Sequence, residues 1–232
     1  MEKQKYTAIV LAAGSGKRMN SKVHKQYLII QDRPVLYYSL KAFEDSAVDE
    51  IVLVVGKGEE KFCRKEIVDK YGISKVKAIV EGGKERYHSV FEGLKQTSDA
   101  DYVLIHDGAR PFVNQDIIRR CMQEVQKYQA CVVGMPVKDT IKIADEEGYA
   151  KQTPDRKNVW MIQTPQTFSY ALIYEAYEEM LKTEDTAITD DAMVLECIKG
   201  KKSKLIEGSY RNIKITTPED LLIANVYLQH PE

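Results

Sequence analysis

The chain has 232 residues, enough for one sizeable α/β domain, and a net charge of −1 from 34 basic and 35 acidic side chains. This balance excludes a whole-protein positive field for nucleic acid, so any anion site must be local. The four cysteines show no CxxC spacing, which indicates buried thiols in a reducing compartment rather than a zinc site or a disulfide framework. Because the start is charged and no apolar run approaches ~20 residues, we expect neither a signal peptide nor a membrane span. The lack of a transit peptide favours a bacterial cytoplasmic protein over a plastid one.

Strand and helix patterns alternate over the first 137 residues. Continuous apolar runs predict buried strands, and apolar residues at helical spacing predict the helices between them. In chain order the predicted elements are a strand at 7–13, a helix at 35–43, a strand at 50–56, a helix at 62–71, a strand at 76–83, a helix at 85–94, a strand at 101–108, a helix at 115–128 and a strand at 130–137. This alternation predicts an α/β fold of right-handed βαβ units, with helices on both faces of a parallel sheet.

The alternation stops after Pro136. Residues 137–163 contain two short strand-like pieces around a polar turn at DEEG, with no helix between them, and predict a β-hairpin arm. A two-stranded arm is marginally stable in water, so we expect it to pack on a second copy of the chain. The alternative is a disordered surface loop, but apolar residues such as Ile141, Ile143 and Trp160 argue against disorder.

The rest of the chain returns to helices and strands. Helices are predicted from Tyr170 to Leu181, from Thr189 to Ile198 and after Pro218, and strands at KLIEG (204–208) and NIKIT (212–216). No repeat, linker or low-complexity tract divides the sequence. We therefore expect a single domain, residues 1–232, with one arm.

The first loop, AAGSGKRM, follows a predicted buried strand, and doubly wound sheets bind ligands beyond the carboxyl ends of such strands. Its small residues leave backbone N–H groups uncovered for a phosphate, and Lys17, Arg18, Lys22 and Lys25 supply positive charge. The loop is neither GxxxxGK[ST] nor GxGxxG, because Met19 stands where the third glycine belongs. We favour phosphate binding over a polar loop whose cations face water.

Two later strand ends carry candidate polar residues. EGGKER places two glycines beside a helix start that contains Ser89, which fits either a backbone site for a base or ribose or a plain turn. HDGARPF contains Asp107 and Arg110; Asp107 fits a ligand of a divalent ion, and a structural Asp107–Arg110 pair is the alternative. His106 lacks metal-ligand spacing and is expected to be structural. No order of Ser, His, Asp or Cys supports covalent catalysis.

Several motifs in this order and at this spacing resemble one family. They are LAAGSGKRM, KQYL, HDGARPF, TPDRKNVW, QTPQTF, ITDDA and NIKITTPEDL. Through them the chain resembles the 2-C-methyl-D-erythritol 4-phosphate cytidylyltransferases over almost its whole length. The resemblance implies a Rossmann-like nucleotidyltransferase fold with a protruding β-hairpin arm that builds a homodimer. It also implies a reaction of CTP with methylerythritol 4-phosphate, in the presence of Mg²⁺, that gives CDP-methylerythritol and pyrophosphate.

The resemblance implies roles for individual residues. Arg18 and Lys25 would be catalytic and stabilise the transition state at the α-phosphate of CTP. Asp107 would lie near the metal and position the acceptor hydroxyls. The residues implied for the nucleotide are Ala12, Ala13, Gly14, Gly83 and Ser89, and those for the sugar phosphate are Arg156, Lys214, Thr140, Thr189 and Arg110. Of these, Arg156, Thr140 and Arg110 would act in the other subunit's active site.

Two departures and three alternative functions remain. His24 stands where many relatives have proline, and Lys84 where an acidic residue is common. Ribitol 5-phosphate cytidylyltransferases share the fold and chemistry, but typically resemble HDAVRPF where this chain has HDGARPF. A dinucleotide-binding oxidoreductase is disfavoured because the third loop glycine is absent and no acidic ribose-binding residue is evident. A non-catalytic nucleotide-binding module would have little need for cations at both the donor and the acceptor end.

Overall fold

The structure, a computed structural model, describes residues 3–14, 24–183 and 188–230. Its strands are β1 (Tyr6–Ala12), β2 (Ile29–Ile30), β3 (Arg33–Pro34), β4 (Glu50–Val55), β5 (Val76–Glu81), β6 (Tyr102–Asp107), β7 (Ala130–Pro136), β8 (Ile143–Ala144), β9 (Ala150–Gln152), β10 (Trp160–Ser169) and β11 (Lys204–Glu207). Its α-helices are α1 (Val35–Glu44), α2 (Glu60–Cys63), α3 (Arg86–Leu94), α4 (Gln115–Tyr128), α5 (Tyr170–Met180), α6 (Asp191–Lys199) and α7 (Pro218–Gln229). None of the helices in these ranges combines the length and apolar character that crossing a membrane requires.

The central sheet has seven strands in the order β11-β7-β10-β6-β1-β4-β5. Its neighbouring strands are parallel except where β10 pairs antiparallel with β6 and β7. The strand order reverses at β1, because β4 lies on one side of it and β6 on the other. In open α/β sheets such a reversal leaves a crevice at the carboxyl ends of the strands, where ligands bind.

Helices cover both faces of the sheet because alternate residues of each strand point to opposite sides. Ala8 and Val10 of β1 join the core cluster that contains residues of α1, α2 and α4. Ile9 joins the cluster that contains residues of α3, α5 and α6. The predicted α/β fold, with a mostly parallel sheet between two helical layers, is confirmed.

The strand β10 differs from its prediction. Residues 137–163 are predicted as an arm, but β10 begins at Trp160 and inserts into the central sheet. The end of the predicted arm therefore belongs to the sheet. Pro165 and the buried polar Gln166 conceal this strand, since a central strand is normally an apolar run without proline. Its ladder with β7 is interrupted between Ile162 and Gln166, where the proline lies.

Three further predicted segments, a hairpin, a strand and a helix, differ in how closely the structure follows them. The hairpin forms from β8 and β9, and residues 142–152 are all exposed. The predicted strand at 212–216 is wrong: this segment forms no ladder, although the Ile215 N–H donates to the Ala109 carbonyl at 2.8 Å and ties it to the loop after β6. The predicted helix at 62–71 begins and ends two residues earlier, because α2 continues directly into a π-helical segment at Arg64–Asp69.

Candidate active site

A cavity of about 350 Å³ lies beyond the carboxyl ends of β1 and β6, where the strand order reverses. We call it the first cavity. Its walls come from the loop after β1, a short 3₁₀ turn at Lys25–Tyr27, the start of α3 and the loop after β6. Its lining includes Ala12, Ala13, Gly14, Lys25, Gln26, Gly83, Arg86, Ser89, Asp107 and Lys214. Eight of the site residues predicted from the sequence are therefore brought together here.

The wall of the first cavity next to α3 depends on two glycines. A Cβ on Gly83 would lie 2.3 Å from the Cβ of His88, and one on Gly82 would lie 2.4 Å from the Cβ of Ala13. The Ser89 hydroxyl closes the turn by accepting a hydrogen bond from the Gly83 N–H at 3.1 Å. The wall is thus backbone with little side chain over it, which permits the close approach of a base or a ribose.

Asp107 ends β6 and lies at the centre of a charged cluster. Its carboxylate is 2.8 Å from Lys214 Nζ, 3.5 Å from Arg86 Nε and 3.6 Å from Arg110 Nε. Burial alone would raise the pKa of Asp107, but the three cations outweigh burial and hold that pKa well below its usual range. Asp107 is therefore ionised near neutral pH. The structural Asp107–Arg110 pair, which the sequence allows as an alternative, is formed.

His106 is buried beside this cluster and has a structural role, as expected. Its Nδ1 lies 3.0 Å from Thr164 Oγ1, and its Nε2 lies 3.2 Å from the Arg110 carbonyl. Thr164 Oγ1 also accepts from the Asp107 N–H at 3.1 Å, so the histidine and threonine join β10 to the end of β6. Burial lowers the pKa of His106 to about 4, so the ring is neutral at pH 7.

A second cavity of about 230 Å³ adjoins the first. Arg86, Asp107 and Lys214 line both cavities, and we call these three residues the shared wall. Arg110 and Thr189, both predicted to position an acceptor, line only the second cavity. The cationic side chains therefore concentrate where the two cavities meet.

The importance of Arg86 and of its partner Asp191 was not predicted from the sequence. Arg86 Nη1 and Nη2 each donate to one Asp191 carboxylate oxygen at 2.8 Å, and Asp191 is fully buried. The Tyr177 hydroxyl donates to the same carboxylate at 2.6 Å, and the Asp191 N–H donates to Gln166 Oε1 at 3.0 Å. The available signal was ITDDA, where two adjacent acids begin a helix and only the second pairs with Arg86.

Two of the predicted site residues that the structure describes line neither cavity, and a third lies outside the described residues. Arg18 lies in the stretch 15–23, outside the described residues. Thr140 and Arg156 are exposed on the arm, where Arg156 Nη1 donates to the Lys138 carbonyl at 3.3 Å. Within one chain, the arm residues and the two cavities are therefore not brought together.

The fold and the paired cavities define a class of protein. A doubly wound α/β sheet presents uncovered backbone and Lys25 in one cavity and a cationic wall between this cavity and the next. Such a site suits an α/β nucleotide-binding transferase, because both a phosphorylated donor and an anionic acceptor can be held beside fixed positive charge.

Comparisons with known proteins identify the family. The family described as 2-C-methyl-D-erythritol 4-phosphate cytidylyltransferase (IspD) matches residues 6–230. A protein of that name from Lachnoclostridium phytofermentans is 51% identical over 226 residues, 97% of each chain. Another from Lachnospira eligens is 53% identical over 225 residues, 96% of this chain and 99% of the other.

Solved structures agree with the sequence comparisons. The 4-diphosphocytidyl-2C-methyl-D-erythritol synthase from Anaerococcus prevotii is 38% identical and has a TM-score of 0.86, with 98% of this chain and 97% of that chain covered. The 2-C-methyl-D-erythritol 4-phosphate cytidylyltransferase from Thermus thermophilus is 30% identical, with a TM-score of 0.77 and coverage of 95% and 98%. This chain belongs to the 2-C-methyl-D-erythritol 4-phosphate cytidylyltransferase family. The resemblance of its motifs is thereby confirmed, and the family is favoured over the three alternatives.

Proposed function

We propose that this chain transfers the cytidylyl group of CTP to 2-C-methyl-D-erythritol 4-phosphate and releases pyrophosphate. An oxygen of the acceptor phosphate bonds to the α-phosphorus as the bond from that phosphorus to the oxygen bridging to the β-phosphate breaks. The electron pair of the broken bond leaves with pyrophosphate. The attacking phosphate monoester has a second pKa of ~6, so no side chain needs to remove a proton. Both substrates are soluble phosphates, which fits a cytoplasmic protein.

The observation that carries this proposal is the shared wall. Uncovered backbone in the first cavity suits CTP, and the second cavity suits the acceptor phosphate. Because the cations Arg86 and Lys214 line both cavities, the reacting phosphates would meet beside fixed positive charge. Two anions repel each other in water, so preorganised cations reduce that repulsion and stabilise the charge that develops in the transition state.

Individual roles follow from position and from the family resemblance. Lys25 lines the first cavity and would contact the α-phosphate, with Arg18 assigned the same role by the resemblance. Lys214 would bind the acceptor phosphate from the shared wall. Arg110 and Thr189 line the second cavity and would hold the rest of the acceptor. The nucleotide would contact Ala12, Ala13, Gly14, Gly83 and Ser89.

We expect Mg²⁺ to accompany CTP. Over the described ranges, no group of three or more His, Cys, Asp or Glu side chains could hold a metal ion. Asp107 is a carboxylate on the shared wall and already pairs with three cations. These residues fit an ion carried mainly by the nucleotide phosphates, with Asp107 as its candidate protein ligand, since Mg²⁺ often binds one or two carboxylates together with substrate phosphates. The ion would neutralise charge on the departing pyrophosphate.

The exposed arm supports a homodimer as the functional form in this proposal. Its exposed hairpin carries the apolar side chains of Ile143 and Tyr149, which a second copy of the chain would cover. In such a homodimer Thr140 and Arg156 would reach the other subunit's second cavity. Mixed dimers of Lys25→Ala and Arg156→Ala chains should then recover activity, because one of their two sites keeps both residues. Verified mixed dimers without recovery would assign Arg156 to its own subunit.

Pyrophosphate release tests the proposed reaction. The protein is assayed with CTP and Mg²⁺ and with either 2-C-methyl-D-erythritol 4-phosphate or ribitol 5-phosphate. We expect strong preference for the first acceptor. Preference for ribitol 5-phosphate would overturn the acceptor and retain the chemistry. No release with either acceptor, from a folded protein that binds CTP, would favour a non-catalytic binding module.

A further inference from the structure

The turn that carries Lys25 is fixed at two points. At one point Gln26 Nε2 donates to the Ala12 carbonyl at 2.5 Å, which ties the turn to the end of β1. At the other point, the residues on either side of the Lys25–Gln26 pair both contact Glu59. Lys25 therefore enters the first cavity from a short segment that is held on both sides.

Glu59 immediately precedes α2 and faces this turn. Its Oε1 lies 2.7 Å from His24 Nδ1, at an ion-pair distance but without the direction of a good hydrogen bond. Its Oε2 accepts from the Tyr27 hydroxyl at 2.7 Å and from the Gly56 N–H at 3.0 Å. One carboxylate thus joins two residues of the turn to the loop after β4.

The position of the carboxylate is itself well defined. A Cβ on Gly56 would lie 2.7 Å from Glu59 Oε2, so the glycine leaves the space that this oxygen occupies. The Tyr27 hydroxyl also lies 3.0 Å from Cys63 Sγ, and its ring meets Phe62 edge-on with 5.1 Å between centroids. Burial raises the pKa of Cys63 to about 11, so the thiol is neutral and cannot replace the carboxylate as a charged partner.

We propose that Glu59 is a positioning residue that fixes Lys25 for catalysis. The inference rests on the proposed role of Lys25 at the α-phosphate of CTP. Glu59 lines neither of the two cavities, so it would act on Lys25 through its contacts with His24 and Tyr27. A lysine has a long, flexible side chain, and small displacements of a charge from the reacting atoms cost much of its effect on the rate.

Two variants separate the interactions of Glu59. Glu59→Gln keeps the shape of the side chain and removes its charge, and Tyr27→Phe keeps the ring and removes the hydroxyl. The matched control is Glu60→Gln, which removes the same charge from the next residue. The Glu60 side chain has no described contact with the turn. We expect kcat of Glu59→Gln to fall ~10-fold while both KM values change less than ~3-fold. The Glu60→Gln control should keep the kcat of the unmodified protein.

The decisive comparison repeats Glu59→Gln in a Lys25→Ala chain. If Glu59 acts through Lys25, the double variant has the same kcat as Lys25→Ala alone. An equal further loss in the Lys25→Ala chain would overturn the proposal, as would an unchanged kcat in Glu59→Gln when Lys25→Ala is slow. If Glu59→Gln does not fold, Tyr27→Phe makes the same comparison. An undiminished kcat in Lys25→Ala would instead contradict the proposed role of Lys25, and this inference with it.

Discussion

The two adjoining cavities are built in opposite ways. The wall of the first cavity next to α3 is backbone held by close packing, since Gly82 and Gly83 have no room for a Cβ. The second cavity is walled by charged side chains held in ion pairs, such as Arg86 with Asp191. A backbone wall is sensitive to added volume, whereas an ionic wall is sensitive to the loss of a buried partner. Substitutions should therefore affect the donor and the acceptor separately.

The largest expected effect is on the ionic wall. Asp191→Ala leaves the Arg86 guanidinium without its buried partner and should lower the free energy of unfolding by about 3–5 kcal/mol. Unfolding in urea at pH 7 measures this loss. The control is Asp116→Ala, because Asp116 forms ion pairs on the exposed surface of α4. This variant should have the same free energy of unfolding as the unmodified protein. Equal stability of the two variants would mean that the buried pair does not hold the wall.

Removal of a cation from the shared wall should act on the acceptor. Lys214→Ala should raise KM for the sugar phosphate by ~10–100-fold and change KM for CTP less than ~3-fold, because a charge-assisted contact to phosphate is lost. Steady-state pyrophosphate release with each substrate varied in turn measures both constants. Lys202→Ala removes an exposed lysine nearby in sequence and should change neither. A similar rise in both KM values would assign Lys214 to both substrates.

The buried side chain of His106 should make the stability of the folded protein depend on pH. The pKa of His106 is about 4 in the folded state and about 6.5 when unfolded, so the unfolded chain binds more protons between these values. Stability from the neutral ring is therefore complete above pH 6.5 and is lost as the pH falls toward 4. At pH 5 the loss should be about 2 kcal/mol.

Urea unfolding at pH 7 and pH 5 measures the histidine effect. His106→Gln should show the smaller decrease in stability between the two pH values. His230→Gln, which alters an exposed histidine, should retain the full decrease. If His106→Gln loses as much stability as the unmodified protein, the buried ring is not the titrating group.

The smallest expected effect is on the backbone wall. Among the described residues, no atom other than those of its two neighbours in the chain lies within 4 Å of a Cβ placed on Gly14, so Gly14→Ala should fold with unchanged stability. Because the added methyl group would face the nucleotide proposed to bind there, KM for CTP should rise ~10-fold while KM for the acceptor stays constant. Gly83→Ala, in contrast, should lower the melting temperature as well as raise KM for CTP, because its Cβ would clash with the Cβ of His88. An unchanged KM for CTP in Gly14→Ala would remove this loop from the nucleotide site.

Sequence patterns predicted the parts of the site that depend on local structure. The apolar run of β1 and the small residues after it were visible, and parallel strands bring their carboxyl ends to one edge. The Arg86–Asp191 pair was not predictable, because its partners are 105 residues apart and come together through α3 and α6, which both pack against α5. β10 was missed because Pro165 interrupts its pattern, and Glu59 carried no local signal for its contact with the Lys25 turn.

In the proposed reaction, the donor and the acceptor occupy different cavities and meet at the shared wall. A crystal structure with 2-C-methyl-D-erythritol 4-phosphate and a CTP analogue that cannot lose pyrophosphate tests it most directly. We expect the α-phosphorus near Lys25 in the first cavity and the acceptor phosphate on Lys214 in the second. Both ligands in one cavity, or an acceptor phosphate away from Lys214, would contradict it.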